Sequence, residues 1–213
     1  MKSVINIYSS FFDQLLDKEK FDFYYLQLPD REQKRVGSFR RWEDATASII
    51  GKALLIRSLQ HIGANLCIAD MKYTEFNRPF FESNLDFNIA HSNNYVVCAI
   101  TTHGRIGIDI ERVNPIHITD YKGILANSEL TNITNSTAIY ETFYRVWTKK
   151  EAIVKADGRG FNIKLCEIDT TCSPLILDEI SWYTKNVFIA PGYVTNVAFN
   201  NIPSVLNQIR IEI

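Results

Sequence analysis

The sequence lacks the features that mark secreted, membrane-spanning and disulfide- or zinc-stabilised proteins. The first residues contain no long apolar run followed by a small-residue cleavage site, and no stretch of 18 apolar residues occurs. The four cysteines show no CxxC spacing, which argues against a zinc site and against a disulfide framework. A net charge of −1 provides no general basic excess for binding nucleic acid. We expect a cytoplasmic protein with reduced thiols that binds neither nucleic acid nor membrane, and we take it to be a monomer.

Two long helical patterns and several strand patterns indicate an α+β fold. Apolar residues between positions 40 and 61 recur at the spacing of an amphipathic helix, and a second helical pattern covers residues 140–156. Each half of the chain is expected to pack its long helix on a small antiparallel sheet. Gly104 is the best junction between an N-terminal subdomain, residues 1–103, and a C-terminal subdomain, residues 104–213. Strands are predicted at residues 95–100, 105–111, 166–170, 180–190 and 193–200, and a polar surface loop at residues 127–137.

The segment from Ile106 to Glu111 alternates strictly between apolar and other residues. Three isoleucines share one face of the predicted strand, while Gly107, Asp109 and Glu111 share the other. Residues two apart on a strand lie roughly 6.6 Å apart, so both carboxylates can reach one cation, and oxygen ligands favour Mg²⁺ or Mn²⁺. Gly107 is interpreted as leaving room for a ligand beside the backbone. The simpler alternative is an edge strand whose solvent face happens to be acidic.

The second informative segment is the predicted helix from Phe143 to Lys155. Glu151 and Lys155 lie together at the border of its apolar face, and Lys150 falls inside that face. A lysine in an apolar arc requires an anion or a carboxylate partner. Glu151 and Lys155 could also be an ordinary surface pair, and the two following glycines could be a helix cap and turn.

The third segment is Asn88-Ile89-Ala90-His91-Ser92, which precedes a predicted strand. Its histidine could contact a phosphate or could simply close a turn. The other histidines have no metal-type spacing.

Together these segments resemble the surfactin-synthetase-type 4′-phosphopantetheinyl transferases. That family is marked by a GIDIE-like strand, a W-x-x-KE-x-x-x-K helix followed by a G-x-G turn, and an N-x-SHS turn upstream. The corresponding segments here are Gly107–Glu111, Trp147–Lys155 and Asn88–Ser92, in the same order and at matching separations. Arg78-Pro79 occupies the place of the family's Lys-Pro or Arg-Pro. The resemblance covers residues 31 to 163.

The resemblance implies a pseudo-twofold α+β fold with coenzyme A in the cleft between the halves. It implies transfer of 4′-phosphopantetheine from coenzyme A to a serine of an acyl or peptidyl carrier protein, with release of adenosine 3′,5′-bisphosphate. Mg²⁺ would be held by Asp109, Glu111 and Glu151 in the C-terminal subdomain. Glu151 would be the base, directly or through a metal-bound water, with Asp109 a possible second participant and Lys155 a point charge beside the pyrophosphate.

The remaining implied contacts concern the nucleotide. Lys155 and His91 would contact the pyrophosphate, while Arg31, Arg35, Ser48, Arg78 and Pro79 would border the adenosine 3′-phosphate end. Ala90 replaces a family serine, so its hydroxyl contact is lost and a backbone N–H contact could survive. Ala47 stands where the family often has an arginine, for which Arg40 or Arg41 could compensate.

Two other function classes fit parts of the pattern. A protein that binds coenzyme A or a nucleotide without catalysis could keep the fold, although the intact set of acids and lysine argues against it. A Mg²⁺-dependent phosphohydrolase could use the same acids if the order of the motifs were ignored.

Overall fold

The first sheet takes its strands from both ends of the chain. In the computed structural model, which describes residues 3–213, its strand order is β10-β1-β5-β4. β1 and β4 each pair antiparallel with β5, and β10 joins β1 in parallel. The C-terminal strand therefore completes the sheet of the first half, and it lies outside a division of the chain at residue 104. The bounds are β1 Val4–Phe11, β4 Asp86–Ser92, β5 Tyr95–Thr101 and β10 Val205–Arg210.

One long helix covers the outer face of this sheet. α3, Trp42–His61, buries its apolar residues against the sheet in a core that also receives the shorter helices α1, Lys18–Tyr25, and α2, Asp30–Gly37. The contact with the sheet is close at Gly51, where a Cβ would lie 2.8 Å from the Ile89 side chain. A small hairpin of β2, Lys72–Tyr73, and β3, Pro79–Phe80, follows α3.

The second sheet repeats the arrangement. Its strand order is β6-β9-β8-β7, all antiparallel, and the helix α5, Ile139–Asp157, packs on its outer face. The strands are β6 Ile106–Arg112, β7 Leu175–Leu177, β8 Ile180–Asn186 and β9 Tyr193–Phe199. The inner faces of the two sheets share a third core, so the layers run α3, first sheet, second sheet, α5. The predicted α+β fold with a long helix on each sheet is confirmed, except that β10 makes the first sheet mixed.

The two sheets meet where β4 lies beside β6, and this contact is made by side chains of β4. The Asp86, Asn88 and Ser92 side chains accept hydrogen bonds from the backbone N–H groups of residues 106, 108 and 112 at 2.7, 2.9 and 3.1 Å. We call these three side chains the junction ladder. They belong to one face of β4, because they occupy alternate positions along the strand. Position 90 continues the series but carries alanine, which supplies no acceptor to the amide of Ile110.

Two sequence predictions about local structure are wrong. Residues 127–137, interpreted as a loop, contain the helix α4, Asn127–Thr134. Residues 166–170, interpreted as a strand, form none. The first two of them belong to a short 3₁₀ helix, Leu165–Glu167, and the others follow it. Further 3₁₀ turns occupy Ile68–Asp70, Ile118–Tyr121 and Gly160–Asn162.

No helix within residues 3–213 combines the length and the apolar character needed to cross a bilayer.

Candidate active site

The alternating strand predicted at residues 106–111 is β6, and its two faces meet different neighbours. The isoleucines at 106, 108 and 110 are buried between the sheets. The opposite face lies under α5, and Asp109 on that face is only 4% exposed. The alternative of a solvent-facing acidic edge is therefore excluded for Asp109. Glu111, near the end of the strand, is half-buried.

Gly107 allows α5 to approach β6. A Cβ at this position would lie 2.0 Å from the carbonyl oxygen of Ala152 and 2.5 Å from the amide nitrogen of Ala156, both in the helix backbone. The interpretation that Gly107 makes room for a ligand is therefore wrong. The glycine instead sets the distance between the helix and the strand that carry the candidate catalytic groups.

α5 brings Glu151 and Lys155 to the carboxylates of β6. The Lys155 ammonium lies 2.5 Å from Oδ1 of Asp109. Among the ion pairs formed by residues 3–213, none joins Glu151 to Lys155, so the simple i,i+4 surface pair is not what the structure contains. Two motifs more than 40 positions apart in the chain thus meet at one place.

The pKa values of the three acids at this place are all raised. Burial raises the pKa of Asp109, against the opposing effect of Lys155. Burial also raises the pKa of Glu111, and the charges of Asp109 and Glu151 raise it further. Glu151 has a raised pKa through burial and through repulsion by Asp109, again opposed by Lys155. Burial is the largest cause for all three acids, and repulsion between carboxylates adds to it for Glu111 and Glu151.

An unpartnered oxygen marks where a cation would be accommodated. Oδ2 of Asp109 is buried and makes no hydrogen bond. A buried carboxylate oxygen without a donor is costly, and a divalent cation would relieve both that cost and the repulsion among the acids. Within residues 3–213, however, no three His, Cys, Asp or Glu side chains form a ready-made metal-binding cluster. Asp109, Glu111 and Glu151 as joint Mg²⁺ ligands therefore stay a prediction.

One further residue at the site was missed by the sequence analysis. Ser92 donates a hydrogen bond from Oγ to Oε2 of Glu111 at 2.9 Å, while the same Oγ accepts from the Arg112 amide. The last rung of the junction ladder therefore fixes Glu111. The alternation of polar residues at 86, 88 and 92 was the available signal.

Comparisons with known proteins decide the family. A family model described as 4′-phosphopantetheinyl transferase superfamily matches residues 105–196, and one described as 4′-phosphopantetheinyl transferase, N-terminal, matches residues 17–103. The chain is 26% identical over 223 residues to the 4′-phosphopantetheinyl transferase Sfp of Bacillus subtilis (strain 168), covering 98% of this chain and 99% of that protein. The chain belongs to the 4′-phosphopantetheinyl transferase superfamily.

Other relatives match a smaller share. The 4′-phosphopantetheinyl transferase gsp of Aneurinibacillus migulanus is 30% identical over 156 residues, which cover 70% of this chain and 64% of that protein. The human L-aminoadipate-semialdehyde dehydrogenase-phosphopantetheinyl transferase is 28% identical over 184 residues, covering 78% and 59%.

The residues predicted for the nucleotide end of this transferase fall into two groups. Arg31 and Arg35 are exposed on α2, with the Arg31 guanidinium 3.7 Å above the Tyr73 ring and donating to the Asn77 side chain. His91 is exposed to the solvent. Protein packed around it lowers its pKa, an effect opposed by Asp44 and reinforced by the nearby charges of Lys155 and Arg35. The charges of Arg35 from the N-terminal half and of Lys155 from the C-terminal half therefore both act on His91.

The second group is buried or half-buried. Ala90 is 5% exposed and packs between the sheets, so only its backbone remains for a ligand. Ser48 is half-buried on α3. Pro79 lines a cavity of about 240 Å³ together with Glu151 and Lys155, whose apolar walls include Phe76, Val154, Ile163 and Leu165. The adjacent Arg78 is 7% exposed, and four of its five guanidinium N–H groups donate to acceptors within the protein.

Lys150, which lies inside the apolar face of α5, forms an ion pair with the carboxylate of Glu129. Lys150 and Glu129 are both completely buried and lie 2.7 Å apart. Lys150 also donates to the carbonyls of residues 165 and 168, and Glu129 accepts from the Thr170 and Ala126 amides. This network ties α4 and the segment after α5 to the helix of the active site. Its carboxylate was not anticipated, because residues 127–137 were taken for a loop.

Proposed function

We propose that this protein transfers 4′-phosphopantetheine from coenzyme A to a serine of an acyl or peptidyl carrier protein, releasing adenosine 3′,5′-bisphosphate. The observation that carries the proposal is the meeting of Asp109 and Glu111 on β6 with Glu151 and Lys155 on α5. Membership of the transferase superfamily and the names of its relatives support the same reaction. We also propose the division into residues 1–103 and 104–213, with β10 of the second part completing the sheet of the first.

We propose Mg²⁺ as the metal, held by Asp109, Glu111 and Glu151. The unpartnered oxygen of Asp109 and the raised pKa values of all three acids support that choice. Oxygen donors suit Mg²⁺ better than zinc. When bound, the ion would supply positive charge to the pyrophosphate oxygens of coenzyme A.

The reaction forms one bond and breaks one. The carrier serine Oγ attacks the β-phosphorus of coenzyme A, and the bond from that phosphorus to the oxygen of adenosine 3′,5′-bisphosphate breaks. The serine proton passes to the Glu151 carboxylate, directly or through a water. Glu151 is the candidate base by position, because it lines the same cavity as Lys155. Lys155 then exchanges its partner, Asp109, for the phosphate charge that develops on the leaving group.

Binding of the nucleotide is proposed to use exposed basic residues of the N-terminal half. His91 would contact the pyrophosphate together with Lys155. The adenosine 3′-phosphate end would be bordered by Arg31, Arg35, Ser48 and Pro79. Arg31 is already held by its stacking on Tyr73, so less side-chain freedom is lost on binding.

We further propose a monomer working in the cytoplasm. All four cysteines lie in the described range and carry free thiols, which is expected in a reducing compartment.

Mass spectrometry of an apo-carrier protein tests the function. After incubation with enzyme, coenzyme A and Mg²⁺, the carrier should become heavier by one phosphopantetheine. Consumed coenzyme A with an unmodified carrier would indicate a hydrolase instead. No change in either component across a panel of carriers would indicate a binding protein, and both outcomes would contradict the proposal.

A further inference from the structure

The guanidinium of Arg78 donates four of its five N–H groups to acceptors within the protein. Its Nη1 and Nη2 donate to the two carboxylate oxygens of Asp86, each at 2.8 Å. Nη2 also donates to the carbonyl of Ile106 at 3.0 Å, and Nε donates to the carbonyl of Lys155 at 2.9 Å. All three nitrogens are thus occupied in a side chain that is 7% exposed. This arrangement differs from the role at the adenosine 3′-phosphate end that the resemblance implies.

The acceptors of Arg78 belong to three different elements. Asp86 is the first residue of β4, and Ile106 is the first residue of β6. The carbonyl of Lys155 lies in the last turn of α5, where helix carbonyls lack intrahelical donors and a cation is favourable. Asp86 closes the arrangement, because its Oδ2 also accepts from the Ile106 amide at 2.7 Å. One ion pair from the N-terminal half therefore holds both active-site elements of the other half.

The packing around this pair leaves little freedom. Gly158 follows α5 with a φ of +90°, and a Cβ there would lie 2.5 Å from Cδ of Arg78. Arg105 adds a second cation, 3.8 Å from Asp86, and donates to the carbonyl of Asp157. Removing one partner of a buried pair leaves an uncompensated charge, so the pair is expected to act as a unit.

We propose that Arg78 and Asp86 are positioning residues, which set Lys155 opposite Asp109 rather than binding coenzyme A phosphate. Arg78 holds β6 at the carbonyl of Ile106, three residues before Asp109. It holds α5 at the carbonyl of Lys155 itself. The catalytic contact between Lys155 and Asp109 is thereby fixed from a point outside the active site. The inference rests on the proposed function for its kinetic consequence.

Two conservative variants test it with two ligands. Arg78→Lys keeps the positive charge but loses the paired guanidinium hydrogen bonds to Asp86. Asp86→Asn keeps the shape of the side chain but loses its negative charge. Each should lower kcat for carrier modification about tenfold or more, because misplacement of reacting groups is costly. Each should weaken coenzyme A and 3′-dephospho-coenzyme A by the same factor in calorimetric titration. The double variant should lose less than the product of the two single losses.

A direct phosphate contact gives a different pattern. It predicts that Arg78→Lys preserves most of the affinity, that the Arg78 effect disappears with 3′-dephospho-coenzyme A, and that Asp86→Asn leaves binding intact. That result would overturn the inference. The matched control is Glu82→Gln, which breaks the exposed pair with Lys72 on the hairpin of β2 and β3 and should change nothing.

Hydrogen exchange provides a readout without any carrier protein. Both variants should show faster amide exchange at the start of β6 and in the last turn of α5, with the α3 core still protected. Wild-type exchange at both places would overturn the inference, whatever the kinetics. If the wild type modifies no carrier but both variants still exchange faster at these two places, only the proposed function is refuted. The positioning role of Arg78 and Asp86 would still be observed.

Discussion

Replacement of Gly107 by alanine would insert a methyl group where β6 and α5 are in backbone contact. The new Cβ would lie 2.0 Å from the Ala152 carbonyl oxygen and 2.5 Å from the Ala156 amide nitrogen, whereas real Cβ contacts below 3.0 Å essentially never occur. Neither neighbour is the end of a flexible side chain. The helix must therefore move away from the strand by about 1 Å, because close-packed interiors have no space to absorb the atom.

The expected loss of activity is larger than the loss of stability. Overpacking of this kind costs about 1–3 kcal/mol in the free energy of unfolding, roughly 2–12 °C in melting temperature for a chain of this size. The same shift separates Lys155 from Asp109, which now lie 2.5 Å apart. Displacement by about 1 Å can cost about 100-fold in rate, so kcat for carrier modification should fall by about that factor.

The assay is a mass-spectrometric time course on an apo-carrier, with thermal melts of the same preparations. Gly123→Ala is the matched control, since nothing lies within 4 Å of a Cβ at that position, and it should behave as the wild type. A Gly107→Ala protein with wild-type kcat and melting temperature would refute the reasoning, because the helix-to-strand distance would then not govern the site.

Three further changes probe the acids and the buried pair beside them. Glu151→Gln should leave coenzyme A binding intact but lower kcat about 100-fold or more. Adding Asp109→Asn should lower kcat by much less than Asp109→Asn does alone, and additive losses in steady-state kinetics would contradict a shared site. Because burial raises the pKa of Asp109 and Glu151, the metal-free folded protein retains protons that the unfolded chain has released. These two groups should therefore lower the free energy of unfolding as the pH rises above about 4. Glu151→Gln should make this pH dependence less steep in thermal melts. An unchanged pH dependence in the variant would contradict the raised pKa of Glu151. Lys150→Met strands the Glu129 charge in the core and should cost about 3–5 kcal/mol in chemical denaturation, whereas adding Glu129→Gln should recover part of it; a larger loss in the double variant would contradict the pair.

The sequence predicted the elements with strong local periodicity. α3, α5, β5 and β6 follow directly from apolar spacing of 3.6 or 2 residues, and the shared face of Asp109 and Glu111 follows from the same alternation. The meeting of β6 with α5 came from the family resemblance and not from periodicity, which says nothing about distant elements.

What the sequence did not predict depends on tertiary contacts. α4 is rich in Asn, Thr and Ser and resembles a loop locally, but Glu129 anchors it through Lys150. The parallel pairing of β1 with β10 joins residues about 200 positions apart and leaves no local signal. Gly107 was misinterpreted because a glycine in a strand indicates a close approach without identifying the neighbour.

The contact between β4 and β6 also has an evolutionary consequence. Hydrogen bonds between backbones are the same for almost any sequence, whereas each rung of the junction ladder is specified by its own codon. A single substitution can add, remove or lengthen one rung without rebuilding either sheet, as the alanine at position 90 illustrates. The relative placement of the two halves, and with it the cavity lined by Pro79, Glu151 and Lys155, is therefore a trait that selection can adjust one mutation at a time.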